Sequence, residues 1–266
     1  MLTDRILSDI ISAIKDAGEI ILSADKDRGG VAVDEKSGSS NFVTQYDVAV
    51  QNFLIERIGK ILPEAVFLAE EKANDDSAAR AECCIIIDPI DGTANFINGY
   101  RHSSISVAIL NSGDTVFGAV YTPYNRELFT AVKGGGAKLN GNPISVVERP
   151  IERAMVAFGT TPYAKDTMTD KTFELMRRFF LNANDIRRLG SAALDLAYLA
   201  AGRNDIFFEA MLQPWDFAAG ALLVTEAGGI ITDMNGSPLV PGRASPILAT
   251  TKNLHSTALE LCKGIL

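Results

Sequence analysis

Asp88-Pro89-Ile90-Asp91-Gly92-Thr93-Ala94-Asn95-Phe96 is the stretch around which this chain of 266 residues must organise itself. It follows Cys83-Cys84-Ile85-Ile86-Ile87, a β-branched apolar run with abrupt ends that reads as a buried strand. Two carboxylates, three residues apart, then stand where that strand delivers its chain to a surface. Pro89 fixes φ between them and removes a donor, which stiffens the loop. Gly92 permits a close approach or a positive φ, and Thr93 is a good N-cap for a short helix through Phe96. Carboxylates, the carbonyl of Ile90 and helix-end amides meeting in one turn suit a divalent cation and a phosphate together. An acidic turn that only links a strand to a helix has the same composition, so the rest of the chain must decide.

The length allows one large domain or two intimately packed ones. With 47% apolar and 22% charged residues the composition is that of an ordinary globular protein. A formal charge of -8 argues against a nucleic-acid backbone binder, although an anionic small substrate fits if metal ions invert the local field. Three cysteines, two of them adjacent, make no disulfide framework and point to a reducing cytoplasm. Residues 1–23 alternate Ile6, Ile10, Ile14 and Ile21 with charges, which predicts an amphipathic helix rather than a signal peptide. No apolar run reaches membrane-spanning length, so no membrane partner is expected. Two histidines leave little material for histidine metal sites.

Along the chain, Asp25 to Ser40 reads as a polar, glycine-rich loop or hairpin containing Lys36. Thr44 caps a second helix that runs to Leu62, with Asp47 in its first turn where the macrodipole favours a carboxylate. Ala65–Ala69 is a strand ending in Glu70-Glu71. An antiparallel meander follows, with strands near 104–110, 115–121 and 128–132. Gly134-Gly135-Gly136 is a turn and lacks the context of a phosphate-cradling loop. Further strands are expected at 154–158, 186–189 and 205–209, the last ending in Glu209. Helices are expected at 168–181, from Gly190-Ser191-Ala192-Ala193, from Gln213-Pro214-Trp215-Asp216 and from Asn253, with short strands at 229–232 and 246–250. The halves, about 1–150 and 151–266, are read as parts of a single unit.

Glu70, Asp88, Asp91, Glu209 and Asp216 thus all fall at strand ends or helix starts, the positions that gather at sheet edges. Oxygen-only ligands select hard cations such as Mg²⁺ or Mn²⁺, and two such ions suit phosphate-ester hydrolysis.

On Glu70-Glu71, Asp88-Pro89-Ile90-Asp91-Gly92-Thr93, Gly190-Ser191-Ala192-Ala193, Glu209 and Trp215-Asp216, the chain resembles the inositol monophosphatase family. That family lies within the lithium-sensitive, magnesium-dependent phosphatases. The resemblance covers essentially the whole chain, and Lys36 and Asn41 to Asp47 correspond in character and spacing. It implies an α+β fold, the layered α/β/α/β/α sandwich, and usually a homodimer. It implies two to three Mg²⁺ ions, with Mn²⁺ as a substitute. Glu70, Asp88 and the Ile90 carbonyl would hold the first and Asp88, Asp91 and Asp216 the second, with Glu70 touching a weaker third. Thr93, oriented by Asp47, would position the attacking water together with Glu70. The Gly92 and Thr93 amides would meet the phosphate, while Gly190, Ser191, Ala192 and Glu209 would face the alcohol. The implied substrate is inositol 1-phosphate or a similar polyol monophosphate. Ala69 and Ala94 depart from a frequent glycine and threonine, and Gln213-Pro214 also differs; no ligand is lost.

A haloacid-dehalogenase-type phosphatase needs its two aspartates two apart, not three. A binding protein that kept the fold without catalysis would be expected to have lost a metal carboxylate, and none of the five is missing. Within the superfamily the alternatives are a fructose-1,6-bisphosphatase and a nucleotide 3′-phosphatase. Arg187-Arg188 would serve a second phosphate in the first of these, but reads better as surface charge beside a strand.

Overall fold

Helical spacing of Ile10, Ile14, Ala17 and Ile21 gives α1 (Asp4–Ala24) one apolar side, and all four residues are fully buried. The computed structural model describes residues 2–24, 33–35, 42–72, 74–75 and 77–265. Lys36 and most of the expected loop lie outside the described residues, save β1 (Val33–Glu35), which pairs antiparallel with β2 (Phe42–Thr44). Thr44 caps α2 (Gln45–Ile61), which carries Val50, Leu54 and Ile58 inward beside α1.

These two helices cover one face of a seven-stranded sheet. Its strands are β3 (Val66–Ala69), β4 (Cys84–Asp91), β5 (Ser104–Asn111), β6 (Asp114–Thr122), β7 (Glu127–Val132), β8 (Gly136–Leu139) and β9 (Asn142–Ile144), in that spatial order. Only β3 and β4 run parallel; the expected meander follows, extended by a β8–β9 pair that its short polar strands concealed. A short helix, α3 (Thr93–Ile97), leaves the end of β4.

The second sheet has the order β11 (Asp185–Arg187), β10 (Met155–Phe158), β12 (Ile206–Leu212), β14 (Ser245–Thr250) and β13 (Ile230–Thr232). Its outer face is covered by α4 (Lys165–Asn182) and α7 (His255–Cys262), through Leu175, Phe179 and Ala258 around Phe208. Between the sheets lie α5 (Ala192–Ala200) and α6 (Pro214–Glu226). Ala193, Ala197, Ala219 and Leu223 face the first sheet, while Leu196, Leu199, Phe217 and Val224 face the second. A helix apolar all round belongs in such a middle layer. The expected α/β/α/β/α sandwich is therefore the observed one.

Among the described residues no helix is long and apolar enough to cross a membrane. The middle layer sits very close to the first sheet at Gly118 of β6, where a Cβ would lie 2.8 Å from the Ala219 carbonyl oxygen of α6. Gly118→Ala must push backbone against backbone. We expect it to destabilise the protein by about 1–3 kcal/mol, read as a lower urea midpoint with an unchanged slope.

Candidate active site

In a regular strand, residues three apart point to opposite faces. Asp88 and Asp91 escape this rule because β4 is bulged between them. Asp88 lies opposite Ser106 and Asp91 opposite Ser104, so three steps on β4 match two on β5. The extra residue falls in the Pro89-Ile90 stretch, where proline's missing donor fits a broken ladder. The bulge returns both carboxylates to one side. The strand does not deliver them to an open surface, as the sequence suggested: Asp88 and Asp91 are 2% and 8% exposed.

Asp216 reaches the same point from the first turn of α6, held by a capping box in which its Oδ2 accepts the Gln213 amide at 2.7 Å. One oxygen from each of Asp88, Asp91 and Asp216 lies within 4.8 Å of the others. The charges around them have the same sign: Glu70, Asp91 and Asp216 face Asp88, while Asp91, Glu70 and Glu209 face Asp216. Burial first, and this repulsion second, push the carboxyls of Asp88 and Asp216 well above the ordinary range. Asp91 rises only to about 6, since burial is countered by bonds from Ser191 and Ala193. Converging carboxylate oxygens that, among the described residues, face only like charges are what a hard divalent cation requires.

Around this cluster opens a cleft with a cavity volume of about 150 Å³. Glu70, Ile90, Gly92, Thr93, Gly190, Ser191, Ala192 and Glu209 all border it, so each residue expected at the site is there except Asp47. Asp47 stands behind the wall. Its Oδ2 accepts the Thr44 amide at 2.8 Å and its Oδ1 lies 3.3 Å from the Thr93 hydroxyl. The Thr44 cap and the Thr93 contact thus use different oxygens of one group. The Thr93 hydroxyl also lies 3.0 Å from the Ile90 carbonyl, and its one proton serves one acceptor at a time.

Two local readings change. Gly92, at φ 89°, is the N-cap of α3, and Thr93 is its first residue. Gly92 also has no room for a side chain: a Cβ would meet the Gly190 carbonyl oxygen at 2.9 Å. Glu209 does not end its strand, because β12 runs on to Leu212 past a second register shift. Its Oε1 accepts the Thr161 amide at 2.9 Å, and its Oε2 would be only 1.8 Å from a Cβ on Gly159. Burial pushes the Glu209 carboxyl up to about 7, with the Thr161 bond and Arg188 acting against it.

Sequence reasoning overlooked several groups. Ser104 and Ser106, the β5 partners of Asp91 and Asp88, hold the helices of the middle layer. The Ser106 hydroxyl donates to the Trp215 carbonyl at 3.1 Å, and Ser104 meets Ser191 at 3.3 Å. Polar residues at alternate positions of an apolar strand were the available signal. Arg187 is the expected surface charge, paired with Asp185. Arg188 is exposed as well, but it also borders the cleft and donates to the Thr160 hydroxyl. Asp195 also borders the cleft.

Two layered sheets with acidic residues converging between them define a hydrolase-like metal site on a known sandwich. The family model for the inositol monophosphatase family matches residues 3–265, and the chain belongs to that family. It is 40% identical over 231 residues to Nus factor SuhB of Escherichia coli K12, covering 86% of this chain and 85% of that one. In structure it is similar to the extragenic suppressor protein suhB of Bartonella henselae, with a TM-score of 0.91, 32% identity, and 99% and 100% of the two chains covered. An inositol monophosphatase (IMPase) of Thermotoga maritima superposes with a TM-score of 0.87 at 31% identity, covering 99% and 98%. Membership of the family supports a metal-dependent phosphatase.

The raised carboxyls carry a sign. Glu209 holds its proton more tightly folded than unfolded, so its contribution to stability falls as pH rises from about 4.5 through about 7. In chelator, wild type should lose stability relative to Glu209→Gln between pH 5 and pH 8, by up to about 3 kcal/mol. Urea denaturation of both proteins at the two pH values measures this; parallel curves would refute it.

Proposed function

We propose that the protein is a Mg²⁺-dependent phosphomonoesterase acting on a polyol or sugar monophosphate of the inositol 1-phosphate type. The observation that carries this reading is the convergence of Asp88, Asp91 and Asp216 within 4.8 Å, on the wall of the cleft that Glu209 also borders. Glu70, Asp88, Asp91, Asp216 and the Ile90 carbonyl would hold the ions. When bound, Mg²⁺ supplies neutralisation of phosphate charge and a lowered pKa for water.

The chain's own groups do the positioning. Thr93, backed by Asp47, and Glu70 orient the attacking water. The amides that open α3 have no partner within the helix and meet the phosphate oxygens. Gly190, Ser191 and Ala192 form a wall small enough to admit the alcohol. The free side of the Glu209 carboxyl accepts its hydroxyls, an interaction that strengthens with the charge on the acceptor. A carboxylate there is a poor neighbour for a second phosphate, which favours a monophosphate over fructose 1,6-bisphosphate. Arg188 at the cleft supports the bisphosphate as the second reading. The name Nus factor belongs to the relatives; for this chain, the complete carboxylate set favours catalysis.

Chelation should abolish phosphate release from inositol 1-phosphate and Mg²⁺ should restore it. Asp216→Asn should cost more than the roughly 10–100-fold typical of groups behind a metal's ligands. Full turnover in excess chelator, or near-normal turnover of the mutant at saturating Mg²⁺, would sink the metal assignment.

The glycine behind Glu209 gives an independent check. Gly159→Ala forces the carboxyl out of place without touching any proposed ligand. KM for inositol 1-phosphate should rise about tenfold, and kcat should change little, because hydroxyl contacts exist in ground and transition states alike. A collapse of kcat with unchanged KM would contradict the role given to Glu209.

A further inference from the structure

α5 carries a carboxyl group for which neither the fold nor the site above has a use. Asp195 is 1% exposed and borders the cleft, yet its Oδ1 has no hydrogen-bond partner. A buried acceptor left unpaired costs about 1–3 kcal/mol. Its place in the first turn of α5 returns only about 0.3–1 kcal/mol through the helix dipole. Nor does it cap the helix, since the Ala193 and Leu194 amides go to Asp91 and to the Ser191 hydroxyl. All its neighbours along α5 are alanine, leucine or tyrosine, so packing alone would be better served by an apolar residue. The charged groups facing it are Asp91, Glu209 and Arg188, all of which border the same cleft.

We propose that Asp195 is a specificity-determining residue: its unpaired carboxyl oxygen bonds a hydroxyl of the substrate's alcohol portion, beside the hydroxyl taken by Glu209. The two groups come from different elements, α5 and β12, and flank one opening. Glu209 already has Oε1 engaged by Thr161, which leaves it one oxygen for the alcohol. Asp195 supplies the second. A cleft with two such arms prefers alcohols with at least two free hydroxyls over a bare alkyl group, because only the polyol satisfies the buried oxygen. The inference rests on the phosphomonoesterase reading above. The other occupant of the same space would be an ordered water, which would give no such preference.

The test compares phosphate release from inositol 1-phosphate and from ethyl phosphate, which has no hydroxyl, by wild type, Asp195→Ala and Asp195→Asn with saturating Mg²⁺. The selectivity, the ratio of the two kcat/KM values, should fall about tenfold in Asp195→Ala, through KM for the polyol. Asp195→Asn keeps the shape and a hydrogen-bonding group, so its selectivity should fall about threefold; it decides the question if the alanine variant does not fold. An unchanged ratio in the folded variants means that the oxygen serves a water, and equal losses on both substrates mean a structural role; either overturns the inference. Wild type that releases phosphate from neither substrate removes the phosphatase reading itself. Wild type active on both, with variants of unaltered selectivity, removes only Asp195.

Discussion

Everything at this site depends on one extra residue in β4. Without the bulge between Asp88 and Asp91, strand alternation would send one carboxylate into the α1–α2 layer and the other toward the middle layer. The same register places Ser106 and Ser104 opposite the two acids, and their hydroxyls hold the starts of α6 and α5. One irregularity therefore sets the acids and the helices that complete the site together. β12 repeats the device next to Glu209 in the second sheet.

Much of this was legible in the sequence, for reasons that differ by element. α1, α2 and the β4–β7 meander follow from period and caps, and the observed bounds lie close to those expected. The acids stood out because strand ends and helix starts are where ligands gather. What the sequence concealed is contact between distant segments. Nothing in the string says that Gly92 touches the Gly190 carbonyl, or that Gly159 leaves room for the Glu209 carboxyl. Arg187 and Arg188 are both exposed, and nothing in the string says that only the second borders the cleft. Residue preference points to Thr93 as the cap, whereas the positive φ falls on its neighbour Gly92. The β8–β9 pair was missed because its strands are too short and polar to show a period.

The acids of the site combine structural and chemical parts in one side chain. Each divides its labour between its two oxygens. Asp47 gives Oδ2 to the Thr44 amide, Asp91 gives Oδ2 to the Ala193 amide, and Asp216 gives Oδ2 to the Gln213 amide. Asp88 gives Oδ1 to the Ile90 amide, and Glu209 gives Oε1 to the Thr161 amide. In each case a backbone bond to one oxygen fixes the carboxyl plane. A capping acid and a proposed ligand are therefore not alternatives here; the backbone bond would aim the ligand.

That arrangement also sets the electrostatic balance. Three helices, α2, α5 and α6, begin where these acids lie, so their positive ends oppose the crowding of negative charge. The relief is partial. A helix end contributes about half an elementary charge, and the carboxyls of Asp88, Asp91 and Asp216 stay raised, by burial first and by their mutual repulsion second. The fold thus tolerates the cluster without neutralising it, and the residual field makes the cleft attractive to small cations. A cation held there would supply the opposite charge that the helix ends provide only in part. A site stabilised fully by its own chain would have no such preference to offer.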